Sequence, residues 1–145
     1  MAIAAILKNE APYVLEWIAF HRAVGVQQFF IADNISDDGT SELLIALQKA
    51  GLIERLEFTT DHPDGPQRPA YTEIVKRFGN RTDWIAFIDC DEFLTPTGNA
   101  NSVNDVLSIG EVDTTVGAIC VNWAMYGSSG ALTPVNEPVV ARFHN

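Results

Sequence analysis

The stretch Trp84-Ile85-Ala86-Phe87-Ile88-Asp89-Cys90-Asp91-Glu92-Phe93-Leu94 decides the fold prediction for this chain. Its first five residues are apolar and rich in β-branched and aromatic types, which is typical of a strand buried on both faces at the centre of a parallel sheet. Side chains alternate along a strand, so we expect Asp89 and Asp91 on one side and Cys90 on the other. The stretch therefore predicts a central strand of an α/β sheet, with an acidic pair at its carboxyl end.

Asp89 and Asp91 are candidate ligands of a divalent cation. Two carboxylates held close together repel each other unless a cation lies between them. All-oxygen ligands favour Mg2+ or Mn2+ over zinc, and a cation held by one or two carboxylates completes its shell with water and phosphate oxygens of a substrate. The simpler alternative is that both residues only begin a turn, because Asp is common where strands end.

Composition and charge limit the classes of function. The 145 residues, 47% of them hydrophobic, suit a single domain over 1–145. A formal net charge of −10 argues against nucleic acid or an anionic membrane surface as the main partner, because either needs a basic face. No apolar run reaches the roughly 20 residues that span a bilayer, and the apolar start at 1–7 lacks the basic lead-in and cleavage site of a signal peptide. We therefore expect a cytoplasmic protein without a transmembrane segment, which would reach the membrane only through a partner or a region missing from this sequence.

The two cysteines, Cys90 and Cys120, both lie in apolar runs and match no metal-ligand spacing. We expect both to be buried and reduced, without a disulfide.

Strands and helices are predicted to alternate along the chain. Apolar and alternating runs predict strands at 2–7, 28–32, 54–60, 84–88 and 116–121, and an edge strand at 139–143. Helical spacing predicts helices over 12–24, 42–50, 69–78 and 102–107. Pro12 and Pro69 lie at the starts of two of them, Gly follows the first three, and Ser102 can cap the last. This alternation is typical of an α/β fold with a mainly parallel sheet flanked by helices.

Polar clusters follow three of these strands, in the order Leu7-Lys8-Asn9-Glu10, Asp33–Thr40 and Asp89–Phe93. Together with the helix that carries Trp17 to His21, and with Asn122-Trp123 leading to Gly127-Ser128-Ser129-Gly130, they resemble glycosyltransferases of the family 2-like group, related to glycosyltransferase family 92. The resemblance covers nearly the whole chain. It implies the GT-A-type nucleotide-diphospho-sugar transferase fold, incomplete at its C-terminus because family members are longer.

The resemblance also implies an activity and its site residues. The expected activity is metal-dependent transfer of a sugar from a nucleotide-diphosphate sugar, with UDP as the typical nucleotide, to a glycan or other hydroxyl acceptor, as in polysaccharide biosynthesis. The cofactor is Mn2+ or Mg2+, held by Asp91 and Asp89. Donor contacts are implied for Asn9, Glu10, Asp33, Asn34, Arg68 and Asp89, and acceptor contacts for Trp123, Gly127 and Ser128. No general base is identified: Glu92 and Glu137 are weak candidates, and His144 is a candidate third metal ligand.

Two alternatives remain open at the level of sequence. A haloacid dehalogenase-type phosphatase also carries Asp-x-Asp after a buried strand, but there the motif lies on the first strand, and a Thr or Val stands where this chain has Phe93. A non-catalytic nucleotide-sugar-binding module would keep the donor half and lack the acceptor half. Fold alone does not separate these functions, because sites decide function.

Overall fold

Alternating apolar side chains build a four-stranded parallel sheet with a core on each face. The computed structural model describes residues 1–112, 115–128, 130, 132–133 and 137–143. In this part of the chain the strands are β1 (Ala2–Leu7), β2 (Gln28–Asp33), β3 (Glu54–Glu57) and β4 (Ile85–Phe87). Their order across the sheet is β3-β2-β1-β4, and every neighbouring pair is parallel. The predicted α/β class with a parallel sheet is confirmed.

The helices alternate with the strands as predicted. The longer ones are α1 (Ala11–Ala23), α2 (Thr40–Lys49), α3 (Gln67–Phe78) and α4 (Val103–Val112), and α5 (Val139–Arg142) is a single turn. A 3₁₀ turn at Gly79–Arg81 leads from α3 toward β4. No helix among the described residues is both long enough and apolar enough to cross a membrane.

Each face of the sheet has its own hydrophobic cluster. On one face Ile3 and Phe29 pack with Trp17 of α1 and Leu44 of α2. On the other face the small residues of β1 leave room for α3, and the cluster there comprises Ala2, Ala4, Phe30, Ala32, Leu56, Ala70 and Ile74. Because period-2 alternation divides each strand between two cores, β1 and β2 are almost completely buried.

The chain divides into two compact units, Met1–Val106 and Leu107–Asn145. The first unit contains the whole sheet and its two cores. In the second unit, residues 116–128 form neither strand nor helix. The prediction of one domain over 1–145 stays a prediction.

Three local predictions are wrong. Residues 84–88 were expected to form a central strand, but β4 is at the edge of the sheet, has only three residues, and leaves Phe87 44% exposed. Residues 116–121 form no strand, because an apolar run needs a neighbouring strand for its backbone hydrogen bonds and has none among the described residues. Cys120 lies in this run and is therefore exposed, whereas Cys90 is buried as expected.

The expected edge strand at 139–143 is also wrong, because Val139–Arg142 is a helical turn. Its β-branched residues suit a strand, but the amide hydrogens of Ala141 and Arg142 are bonded to the carbonyl oxygen of Pro138 instead of a neighbouring strand.

Candidate functional site

The chain reverses its direction of winding between β1 and β4. From β1 to β3 it moves outward in one direction with α1 and α2 on one face, and it then returns through α3 on the opposite face to place β4 on the other side of β1. In open α/β sheets such a switch point leaves a crevice beyond the carboxyl ends of the two strands. Glu10 follows β1 and the Asp89/Asp91 pair follows β4, so these acidic residues flank the crevice.

The carboxylates at this edge are close enough to change the proton affinity of Glu10. Partial burial raises the pKa of Glu10, and the negative charges of Asp91, Asp38 and Asp89 raise it further. Burial, followed by the charges of Glu10, Asp91 and Asp89, raises the pKa of the Cys90 thiol to about 12, so this thiol is neutral and unreactive at neutral pH. The loops after β1, β2 and β4 therefore form one acidic edge of the sheet, made up of Glu10, Asp38, Asp89 and Asp91.

This edge has the donor set of a hard-cation site. Among the residues that the structure describes, no Lys or Arg side chain pairs with Glu10, Asp89 or Asp91. Within the same residues, no three His, Cys, Asp or Glu side chains converge into a complete metal cage. Exposed carboxylate oxygens at Asp89 and Asp91 fit a Mg2+ or Mn2+ that keeps water or substrate oxygens in its other positions.

A tight turn presents the acidic pair. The amide N of Asp89 donates to Glu92 Oε2 at 3.0 Å, and the amide N of Glu92 donates to the carbonyl O of Asp89 at 3.1 Å. Gln67, the first residue of α3, donates through Nε2 to Asp89 Oδ1 at 3.3 Å. Sequence reasoning missed Gln67 and named its neighbour Arg68, because it began the helix at residue 69, whereas α3 begins at Gln67. One oxygen of the Glu92 carboxylate, Oε2, accepts a hydrogen bond inside this turn, and the candidate role of Glu92 as general base stays a prediction.

Hydrogen bonds join the loop after β1 to the loop after β2. The amide N of Asn9 donates to Ser36 Oγ at 3.0 Å, and the amide N of Asp37 donates to Asn9 Oδ1 at 3.1 Å. Asn9 has a φ of 60°, a left-handed conformation that Asn tolerates better than most residues. The amide N of Asn34 donates to the carbonyl O of Leu7 and extends the ladder between the two strands. Asn9, Glu10 and Asn34 thus lie at one edge, as expected, and their donor contacts stay predictions.

Asp33 lies at the end of β2 but its side chain already has partners. It is fully buried, and its Oδ2 forms an ion pair with Arg55 at 2.7 Å. Ser41 Oγ donates to the other carboxylate oxygen at 2.8 Å. In this arrangement the Asp33 carboxylate holds β3 and α2 against β2, and its expected contact with the nucleoside stays a prediction.

Arg68 points toward a separate cavity. Its side chain is 83% exposed and lies 3.7 Å from Asp64. Together with His62 and Arg77 it lines a cavity of about 620 Å³ between α3 and the residues that follow β3. The structure thus gives Arg68 a partner in the loop before α3, and its predicted contact with a donor phosphate is untested.

The expected acceptor residues belong to the second unit. Trp123 is 79% exposed, and Gly127 and Ser128 lie outside helices and strands. Glu137 is exposed as well. Ser129 of the quoted motif and His144, the candidate third metal ligand, lie outside the described residues. The acceptor contacts stay predictions.

Comparison with known proteins connects this geometry to one group of enzymes. The family model described as "Glycosyltransferase family 92" matches residues 3–129. A glycosyltransferase family 92 protein of Oryza sativa subsp. japonica is 32% identical over 131 residues, which are 90% of this chain and 22% of the relative. A family 92 protein of Arabidopsis thaliana is 27% identical over 154 residues, which are 99% of this chain and 26% of the relative. The chain therefore spans about a quarter of the length of these relatives.

A solved structure with a similar fold comes from a bacterium. The crystal structure of S. aureus TarS matches 86% of this chain and 23% of its own, with a TM-score of 0.56 and 13% sequence identity. At this identity the likeness concerns the fold alone.

Proposed function

Because this chain belongs to glycosyltransferase family 92, we propose that it is part of a metal-dependent glycosyltransferase that moves a sugar from a nucleotide-diphosphate sugar to an acceptor. UDP is the proposed nucleotide, Mn2+ or Mg2+ the proposed cofactor, and a glycan or other hydroxyl compound the proposed acceptor. The proposed donor contacts are Asn9, Glu10, Asp33, Asn34, Arg68 and Asp89, and the proposed acceptor contacts are Trp123, Gly127 and Ser128.

One observation carries the proposal: the acidic edge lies at the switch point of the sheet and has no cationic partner among the described residues. A diphosphate is itself negative, so these carboxylates would repel it without a cation between them. Asp91 and Asp89 are the residues that would hold Mn2+ or Mg2+, which, when bound, neutralises the charge that develops on the leaving nucleoside diphosphate.

The chain's own residues would contribute orientation. The Gln67 amide holds one oxygen of Asp89, and the Asp89–Glu92 turn leaves the Asp91 carboxylate directed to solvent. Burial is the main cause of the raised pKa of Glu10, and the negative charges of Asp91, Asp38 and Asp89 add to it, which supports the proposal of a cation at this edge. Such a preorganised acidic edge selects a cation together with an anionic ligand over a free anion.

A non-catalytic nucleotide-sugar-binding module is the second candidate. The observation that favours it is that the donor edge is assembled within the first unit, whereas the expected acceptor residues belong to the second unit. A haloacid dehalogenase-type phosphatase is disfavoured, because the Asp-x-Asp motif follows the fourth strand and the chain matches family 92. An assay of UDP release from UDP-sugars distinguishes the two functions. A transferase releases UDP when an acceptor is added, whereas a binding module does not.

The test is calorimetric titration of UDP, with GDP for comparison, into the purified chain in Mn2+ and then in EDTA. We expect UDP to bind only with Mn2+. Asp91→Ala should abolish this binding and leave the fold intact. Asp83→Ala is the matched control, because it removes the same charge at the opposite end of β4. Equal UDP binding by the wild-type chain and the Asp91→Ala variant would refute the metal assignment.

A further inference from the structure

One face of α1 holds the backbone that follows the acidic pair. Trp17 and His21 are one helical turn apart, and both are fully buried. Trp17 Nε1 donates to the carbonyl O of Glu92 at 2.9 Å, and the amide N of Leu94 donates to His21 Nε2 at 3.0 Å. Residues 92–94 belong to no helix or strand, so these bonds satisfy backbone groups that no ladder satisfies.

The contacts of His21 specify its tautomer. Its Nδ1 lies 2.8 Å from the carbonyl O of Trp17, which can only accept a hydrogen bond, so Nδ1 carries the proton. Nε2 is then the acceptor for the amide hydrogen of Leu94. Only the neutral imidazole makes both bonds, since a protonated ring would face the Leu94 amide with a second donor.

The side chain between these two bonds is anchored as well. The ring of Phe93 stacks on His21 with a centroid distance of 5.8 Å and an interplanar angle of 15°. Its edge contact with Phe20 has a centroid distance of 5.1 Å. Three consecutive residues are therefore attached to α1 through the Glu92 carbonyl, the Phe93 ring and the Leu94 amide.

This attachment is transmitted to the acidic pair through Glu92. The residue whose carbonyl binds Trp17 also closes the turn with Asp89 through two hydrogen bonds, and Asp91 lies inside that turn. We propose that Trp17 and His21 are positioning residues for the cation site: they hold the Asp89–Glu92 turn in the geometry that presents both carboxylates. The cation itself rests on the proposed function above.

Four variants separate positioning from ordinary packing. Trp17→Phe keeps an aromatic ring but removes the donor to Glu92, and His21→Leu keeps the volume but removes the acceptor for Leu94. His21→Gln retains an acceptor oxygen at a similar reach and serves as the conservative rescue. Val14→Ala is the matched control, because Val14 is equally buried on α1 and bonds to no residue of the turn.

The first readout is hydrogen exchange of the 89–94 amides in the whole chain. It requires no ligand, and it is measured well below each variant's Tm. We expect Trp17→Phe and His21→Leu to accelerate exchange at least about tenfold in this segment, with His21→Gln and Val14→Ala close to wild type.

The second readout is the affinity for Mn2+ alone, measured by calorimetry. We expect the first two variants to bind Mn2+ about 10-fold more weakly, as is typical when a partner behind a metal ligand is lost. Wild-type exchange and Mn2+ affinity in a folded Trp17→Phe protein would overturn the proposal. A wild-type chain that binds no Mn2+ would defeat the proposed function, and the exchange result would then decide the positioning role by itself.

Discussion

His21 links the stability of the protein to pH. Burial lowers the pKa of its imidazole from 6.5 to about 4, although the hydrogen bond to the Trp17 carbonyl partly opposes this shift. The unfolded chain therefore binds more protons than the folded one between these two values. The contribution of His21 to the unfolding free energy is therefore largest well above pH 6.5. It falls as the pH decreases through this value and levels off below about 4.

We predict that His21 alone lowers the unfolding free energy by about 1.3 kcal/mol when the pH is lowered from 7.5 to 5.5. Urea denaturation of the wild type and of His21→Gln at both values measures the effect, because the carboxylates are common to both proteins. An equal pH dependence in the two proteins contradicts the prediction.

A second residue-scale prediction concerns Asp33. Its buried carboxylate pairs with Arg55, whose side chain is only 13% exposed. Asp33→Asn leaves that guanidinium without its main partner and should lower the unfolding free energy by about 3 kcal/mol. Glu57→Gln is the control, because it removes the exposed partner of the same Arg55 and should cost under about 1 kcal/mol. Similar urea midpoints for the two variants would show that the buried pair is not the dominant one.

At the scale of elements, the loops after β1 and β2 depend on Thr40, the first residue of α2. Its hydroxyl accepts a hydrogen bond from the amide N of Glu10 at 2.8 Å and donates to Asp38 at 2.6 Å. Asp38 in turn accepts from the amide N of Ala11 and thereby caps α1 from a different loop. The two loops thus form one support for the acidic edge.

We predict that Thr40→Val, which keeps the shape but removes the buried hydroxyl, lowers the unfolding free energy by about 1–2 kcal/mol, because the partly buried Glu10 amide loses its acceptor. Thr72→Val is the comparison, since the Thr72 hydroxyl donates to the Arg68 carbonyl on an exposed helix surface. Chemical denaturation measures both variants. A loss for Thr72→Val equal to that for Thr40→Val would mean that the link between the loops contributes little.

The sequence predicted strands and helices well wherever the apolar positions of the pattern are also the buried positions in the structure. β1 was predicted with its observed bounds, and the other three strands of the sheet and all four longer helices were predicted near their observed positions. The failures at 116–121 and 139–143 share one cause. Both segments have strand-like composition, but a strand also needs a partner, and pairing is not encoded in a local pattern.

At the scale of the whole molecule, the first unit contains every residue of the acidic edge and both sheet cores. We predict that a fragment of residues 1–106 folds cooperatively and binds Mn2+ with the affinity of the full chain. Thermal unfolding followed by circular dichroism, together with calorimetry, tests this. A fragment that unfolds without a transition, or that loses Mn2+ binding, would show that the site needs residues of the second unit.

The sequence alone determined the α/β class, the acidic pair and the family, because each depends on residue types at short, fixed spacings. Only the tertiary structure decided that β4 is an edge strand, that Asp33 is committed to Arg55, and that Gln67 rather than its neighbour reaches Asp89. It also assigned Trp17 and His21 their contacts with residues 92–94, more than 70 positions away. Such contacts depend on how distant elements pack, and packing leaves no periodic signal in the chain.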